Sequence, residues 1–457
     1  MKAAIKRAAG AKRTVGAKTR RAGAPVKKPV AAAGKGAAGA AAAAIAPVAA
    51  SGERVGPRAL AAGKPAVRAS GRARRRVCVA ITARPSYSRI KSAIRAIQNH
   101  PDLELQLVVG ASALLDRYGS AVRQIEEDGF PIAARVYMVL EGENLASMAK
   151  TTGLGLLELA TVFDNLKPDV VVTVADRYET LATAVAASYM NIPVAHVQGG
   201  EITGSIDEKV RHAVTKLSNL HFVSTRRAGD RVLRMGEAPE SVFVTGCPSI
   251  DVAAEVAADP SIDFDAVARY GGVGASVNLS DGYLVVLQHP VTTEYAESRE
   301  HVMETLHAIR TLDMPTLWFW PNVDAGSDGT SNAIRSFRES EKPKNIRFFK
   351  SMAPADFLRI ILGSRALVGN SSVGIREASF LGIPVVNIGS RQSGRDRGRN
   401  VADVGYSCSE IVAATRRQVE HGRYASDDVY GNGGAGVAIA GLLSDQPLTI
   451  EKRLAYA

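Results

Sequence analysis

The chain has 457 residues, too many for one compact core and enough for two domains of ordinary size. Its formal net charge of +12 is unevenly spread: residues 1–76 hold 19 Lys or Arg and one acid (Glu53), a net of +18, which leaves −6 on the remainder. The basic balance thus belongs to the N-terminal stretch and does not describe the body. Three widely spaced cysteines (Cys78, Cys247, Cys408) fit reduced thiols and supply no pair of zinc ligands.

Residues 1–75 are rich in Ala, Lys, Arg and Gly and lack large apolar side chains, so burial cannot offset chain entropy there and the stretch reads as a disordered tail. An Arg-rich, acid-poor tail suits an organelle transit peptide, a polyanion contact with nucleic acid, an anionic membrane surface, or a plain solvated extension. Its weakly apolar run is Ala and Gly, too polar for a spanning helix, and no signal-peptide pattern precedes it. The body is expected in the cytoplasm.

From Arg76 onward short Val/Ile/Leu runs alternate with amphipathic stretches, the pattern of parallel sheets with crossover helices. VCVAIT, LELQLVVG, DVVVTVAD, PVAHVQG, LHFVST and SVFVTG read as strands, with SRIKSAIRAIQNH, GLLELATVFDNLK, YETLATAVAASYM, DEKVRHAVTKLSN and GDRVLRMG as helices between them. This series predicts a Rossmann-like domain over 76–255. ADPSIDFDAVARYGGVGASVNLSDG, without a long apolar run, reads as a linker. A second series over 256–445 has YLVVLQHP, TLWFWPN, IRFFK, RALVGNSS and PVVNIGS as strands, and helices that include PADFLRIILGS and VGIREASFLG. The fold class is therefore α/β, two Rossmann-like domains with a cleft between them, and ligands in such sheets sit at the carboxyl ends of the strands.

Unusual polar residues fall just after those strands. In VGNSSVGIREASFLGIPVVNIGSRQSGRDRG (368–398), Asn370, Ser371 and Ser372 open a helix and offer hydroxyls and backbone N–H groups to an anion, without a Walker lysine. Taken alone, NSS reads as helix capping. Glu377 follows on the helix, where a carboxylate can accept two ribose hydroxyls, and Arg391 arrives from the next strand, where a guanidinium can grip phosphate.

This segment closely resembles the corresponding stretch of hydrolysing UDP-N-acetylglucosamine 2-epimerases, the bacterial sialic-acid-pathway type and the epimerase half of the bifunctional animal enzyme. The resemblance runs from about Arg76 to Leu442 and includes RPSYSRIK, the 175–221 segment with ADRYET and HVQGGEITGSIDE, GCPSID, QHPVTTE, WPNVDAGS and YGNGGA. It implies a glycosyltransferase-B-like architecture, a small-molecule UDP-sugar ligand, no metal, no cofactor, and a homo-oligomer of two or four copies. Residue by residue, it implies that Arg84, Ser88 and Arg177 hold UDP from the first domain. From the second domain it implies His289 on the diphosphate, Asn322 and the backbone near Met352 along the nucleotide, Phe357 on uracil, Ser371 and Ser372 on phosphate, Glu377 on ribose and Arg391 on the remaining charge.

The implied reaction eliminates UDP to a glycal and adds water to give a free N-acetylmannosamine-type sugar. C2 carries an acetamido group and no neighbouring carbonyl, so a carboxylate must take its proton as the C1–O bond breaks. Asp176, at the end of DVVVTVAD, and Glu201, Asp207 and Glu208, after the Gly-Gly pair, are the acids available. Asp207 matches a position treated as catalytic in the family, Glu208 is placed on the solvent side of its helix, and His212 falls one turn after Asp207, where the two could pair. His289 joins Asp176, Glu201 and Asp207 as a candidate catalytic residue.

Two positions depart from the family pattern. Gln198 stands where the bifunctional enzyme has Glu before Gly-Gly, and Gln cannot exchange a proton; Ser86 replaces an acid in the first loop. Proton transfer would then rest on Asp176, Glu201 and Asp207, or the sugar differs, as in relatives that process diacetamido sugars. A non-hydrolysing epimerase, a UDP-sugar glycosyltransferase and a non-catalytic nucleotide-sugar-binding protein remain alternatives.

Overall fold

A computed structural model describes residues 58–59, 73–116, 121–140, 145–203, 206–321 and 327–455. Most of the basic tail lies outside the described residues; within it β1 (Arg58–Ala59) extends the first sheet by pairing its backbone with Phe243 and Val244. The pairing satisfies backbone groups that an edge strand otherwise leaves open.

The first sheet is parallel throughout and adds β2 (Arg75–Ile81), β3 (Leu103–Gly110), β4 (Ile132–Val136), β5 (Val170–Val174), β6 (Val194–Val197), β7 (Leu220–Val223) and β8 (Val242–Val244). Their order is β1-β8-β7-β6-β5-β2-β3-β4, with Val77 opposite Val170 and Ala195 opposite Leu220. Strands buried on both faces need continuous apolar runs, which β2 and β5 have. Crossovers on this sheet are α1 (Arg84–Gln98), α2 (Ala121–Glu127), α3 (Leu145–Leu166), α4 (Tyr178–Tyr189), α5 (Ile206–Leu217) and α6 (Arg226–Arg234). Strand β4 and helix α2 escape the sequence reading: IAARV alternates, and AVRQIEE is two turns long.

After α7 (Pro248–Ala258) the expected linker contains α8 (Ala266–Tyr270), capped by the Asp265 side chain, and β9 (Val273–Gly274), which pairs antiparallel with Arg347 and Phe348. The second sheet continues with β10 (Leu284–Leu287), β11 (Thr316–Phe319), β12 (Ile346–Phe349), β13 (Ala366–Gly369), β14 (Val385–Ile388) and β15 (Val401–Val404), in the order β15-β14-β13-β10-β11-β12-β9. Its helices are α9 (Ser298–Leu312), α10 (Ser327–Glu341), α11 (Pro354–Gly363), α12 (Ser372–Ile375), α13 (Glu377–Phe380) and α14 (Cys408–His421), and α15 (Ala435–Asp445) follows them in the chain. Among the described residues no helix is long and apolar enough to cross a membrane.

Two helices change sides relative to the simple cut at residue 255. Val252, Ala253 and Val256 of α7 pack in the core of the second sheet with Tyr283 and Val285, while Ile439, Ala440, Leu442 and Leu443 of α15 pack in the core of the first sheet with Ile90 and Ile94. The chain thus passes between the two layers twice. The segment after α15 stays on the first sheet: Lys452 donates to Glu237 and to the carbonyl of Thr215 (3.3 Å), and Ala455 N donates to Gly236 O at 3.0 Å. Leu443 is fully buried, so Leu443→Ala should leave a cavity and cost about 2–5 kcal/mol in urea unfolding. A loss below about 1 kcal/mol would show that α15 is not part of the first core.

Candidate active site

The carboxyl ends of the two sheets border a cavity of about 290 Å³. From the first sheet, α1 enters it with Arg84, Ser88 and Arg89; its N-terminal turn has no side-chain cap, and Pro85 removes one amide. From the second sheet come His289 after β10, the stretch Lys350–Pro354 with Met352 after β12, and Phe357 on α11. Ser371, Ser372 and Glu377 after β13 and Arg391 after β14 complete the wall.

Local structure sets these positions. Gly369 ends β13 at φ +138, where a Cβ would collide with the Leu287 carbonyl, so only glycine lets the chain turn there. The next side chain, Asn370, is buried and grips the backbone of His289 at both ends: Oδ1 accepts from His289 N at 2.7 Å and Nδ2 donates to His289 O at 2.8 Å. The Asn370 carbonyl accepts from Gln392 Nε2 (2.8 Å) and Arg391 Nη1 (3.3 Å), so one residue registers β10, β13 and the loop after β14. Ser371 accepts from Val373 N at 3.4 Å and caps α12, the plain reading of NSS. The helix expected from 373 to 382 breaks at Arg376 (φ −104, ψ −81) into two four-residue pieces, because the Arg376 guanidinium is drawn into buried ion pairing. Glu377 keeps one buried carboxylate oxygen, Oε2, without a protein partner, and burial raises its pKa against the opposing pull of Arg376. Phe357 stands edge-on to Phe319 at 4.9 Å.

The acids form a separate buried cluster outside the cavity wall. Asp176 follows Ala175, which is left-handed (φ +64) at the end of β5, and accepts from Arg211 Nη2. Glu201 accepts from Arg376 Nη2 and lies 3.3 Å from Arg211 Nη1. Burial would raise the Glu201 pKa, but Arg376 and Arg395 outweigh it, and the net shift is downward, so Glu201 is held ionised. Arg89 joins cavity and cluster: Nη2 donates to Ser372 Oγ at 3.3 Å, and Nη1 lies 3.9 Å from Asp176. Burial first, then repulsion from Arg376 and Arg395, lowers the Arg89 pKa to about 10, and it stays charged at neutral pH.

The cavity therefore brings together Arg84, Ser88, His289, Met352, Phe357, Ser371, Ser372, Glu377 and Arg391, while Asp176 and Glu201 lie immediately behind Arg89. Arg177 does not join them; its guanidinium pairs with fully buried Glu179 at 3.3 Å and lies over the Tyr178 ring, 5.7 Å from its centre. Asp207 is half-buried in the first turn of α5 and is not part of the cavity wall. His212 pairs with Glu208 (3.4 Å) and not with Asp207, and Glu208, partly exposed, also accepts from Thr203 N at 3.2 Å, so it links the helix to the preceding loop. Gln198 is fully buried and left-handed (φ +68), donating to Cys247 Sγ at 3.0 Å. Asn322 lies outside the described residues.

Sequence reasoning missed the four arginines. Arg211 offered a signal: it shares the buried face of α5 with Val214 and Thr215, a charge at an apolar register. Arg89, Arg376 and Arg395 lie in quoted motifs but show no periodic mark of burial.

The fold and cleft define a two-domain protein of glycosyltransferase-B-like architecture. Residues 95–444 match the family model described as UDP-N-acetylglucosamine 2-epimerase. The chain is 31% identical over 374 residues to the UDP-N,N'-diacetylbacillosamine 2-epimerase (hydrolyzing) of Legionella pneumophila, covering 82% of this chain and 97% of that one. It is 29% identical to the UDP-N-acetylglucosamine 2-epimerase of Neisseria meningitidis, over 79% and 91% of the two chains. The crystal structure of the Neisseria meningitidis UDP-GlcNAc 2-epimerase bound to UDP-GlcNAc superposes with a TM-score of 0.67 at 17% identity, over 81% of this chain and all of that one. The chain belongs to the UDP-N-acetylglucosamine 2-epimerase family.

The ion pairs make a stability prediction. Arg211→Ala leaves Asp176 buried without its main partner and should cost about 3–5 kcal/mol in urea unfolding, whereas Arg211→Met combined with Asp176→Asn should recover much of it. Equal losses in both variants would show that the charge pair is not the cause.

Proposed function

We propose that the protein catalyses hydrolysing 2-epimerisation of UDP-N-acetylglucosamine or a related UDP-linked acetamido sugar, releasing UDP and a free N-acetylmannosamine-type sugar. The observation that carries this reading is Arg89, which reaches Ser372 at the cavity and Asp176 in the acid cluster with one guanidinium. A nucleotide seat and a carboxylate centre thus adjoin, as a reaction at C1 and C2 of a UDP-sugar requires. The hydrolysing mode is supported by the Legionella pneumophila relative, whose name carries it.

In this reading uracil packs on Phe357 beside Met352, and the ribose hydroxyls donate to the Glu377 carboxylate, whose buried Oε2 has no protein partner. Arg84, Ser88, Ser371, Ser372 and Arg391 hold the diphosphate, with His289 beside the leaving oxygen. A carboxylate of the Asp176, Glu201 and Asp207 set takes the C2 proton. The C1–O bond breaks with its electron pair leaving on UDP, and a C1=C2 glycal forms. Water then adds its hydroxyl to C1 while C2 regains a proton on the opposite face. Glu201, held ionised, serves as base or as a counter-charge to the developing cation, and the arginines stabilise the departing diphosphate.

Incubation with UDP-N-acetylglucosamine, and in parallel with a UDP-linked diacetamido sugar, in deuterated water separates the alternatives by NMR. Free sugar deuterated at C2, together with UDP, is the expected result. A deuterated epimer still bound to UDP would establish the non-hydrolysing mode, and no turnover of either substrate would overturn the proposal. Gln198→Glu should alter the rate on UDP-N-acetylglucosamine if the position belongs to the proton relay; an unchanged rate places it outside.

A further inference from the structure

Two side chains of the second domain leave its cavity wall and reach into the first domain. Arg376 is buried at the break between α12 and α13, between Ser372 and Glu377, both of which line the cavity. Its Nη2 donates to Glu201, and its Cζ lies 5.5 Å from the centre of the Tyr430 ring. Arg395, four residues beyond Arg391, donates Nε to the carbonyl of Ile202 at 2.8 Å. Both arginines therefore converge on residues 201–202, and residues 198–203 are not among those that line the cavity.

That segment is braced from its other side. Gly200 (φ +74) is packed so closely under α6 that a Cβ would collide with the Ala228 carbonyl, and its own carbonyl accepts from Arg231 Nη1 at 3.1 Å. Arg211 Nη1 donates to Gln198 O at 3.1 Å. The second-domain side is braced as well. Tyr430 Oη donates to Asp396 O (2.7 Å), the Asp396 carboxylate accepts from Thr225 Oγ1 (2.8 Å) and Arg227 Nη1 (3.1 Å), and Cys247 N donates to Tyr430 O (2.8 Å). Tyr430 of YGNGG thus backs Arg376, tied to Cys247 of GCPS and Asp396 of SGRDRG, and Ser249 of GCPS also lines the cavity.

We infer that Arg376, seconded by Arg395, is a positioning residue that couples occupancy of the nucleotide seat to the geometry of the acid-bearing loop 198–203. A ligand held by Ser372 and Glu377 fixes the short break that carries Arg376, and the rigid guanidinium fork passes that constraint to Glu201. The inference rests on the UDP-sugar reading of the cavity.

Hydrogen exchange followed by mass spectrometry tests it with UDP alone. In the wild-type protein UDP should slow amide exchange over 198–203, although no atom of that loop lines the nucleotide cavity. Arg376→Ala should abolish the slowing while UDP affinity by calorimetry stays within about threefold, and kcat should fall about 100-fold at nearly constant KM. Arg376→Lys, which keeps a buried cation beside Glu201 but loses the fork, should show slowing between the two, and Arg395→Ala a partial loss; these two carry the test if Arg376→Ala does not fold. Wild-type slowing retained in Arg376→Ala or Arg376→Lys overturns the coupling alone. Absence of UDP binding by the wild-type protein overturns the UDP-sugar reading, and the coupling with it.

Discussion

A carboxylate taken out of water costs several kcal/mol unless cations and hydrogen bonds accompany it, and in this chain Asp176 and Glu201 are both out of water. Their partners come from different places in the sequence: Arg89 from α1, Arg211 from α5, and Arg376 and Arg395 from the second domain. Meeting that electrostatic demand requires the two sheets to face each other across their carboxyl ends. The passages of α7 and α15 between the layers then hold the facing arrangement with apolar packing. Fold and site are in this sense one constraint, since the cleft exists where the charges must be paired.

The same constraint divides the labour. Groups that line the cavity are hydroxyls, ring faces, arginines and the Glu377 carboxylate, and Asn370 fixes their relative height through the backbone of His289. Groups behind the cavity are ionised pairs, fixed on both faces, and Arg89 ties them to the cavity wall through Asp176. Fixed dipoles and charges of this kind do not reorganise as charge develops, which is the main electrostatic advantage of a protein site over water.

Much of this was legible in the sequence where the signal is periodic or local. Alternating apolar runs and amphipathic stretches gave both sheets, and polar residues after strands gave Ser371, Ser372, Glu377 and Arg391, because strand ends are where side chains become available to a ligand; Arg84, Ser88, His289, Met352 and Phe357 came from the family resemblance. What escaped was long-range. The crossing of α15 back to the first core leaves no local mark, since an apolar helix face reads the same whichever sheet it covers. The break at Arg376 was invisible because GIREASF is compatible with helix; a buried partner 175 residues away overrides propensity there. Arg177, which the family resemblance put beside Arg84 and Ser88, is paired with a neighbouring buried carboxylate, Glu179.

Gln198 gains its meaning from the same charge balance. Around Asp176 and Glu201 stand Arg89, Arg211, Arg376 and Arg395, and burial together with mutual repulsion lowers the pKa of Arg89 and of Arg395 to about 10. A carboxylate at 198 would add a third negative group to that set. With a neutral amide there, bonded to Cys247, the cluster keeps surplus positive charge at the end of the cavity marked by Arg89 and Ser372. Surplus positive charge beside a diphosphate seat favours departure of an anion over general-acid chemistry. In the proposed reaction it moves the burden from protonating the leaving group to stabilising it as it leaves, and confines proton transfer to the carboxylates that remain.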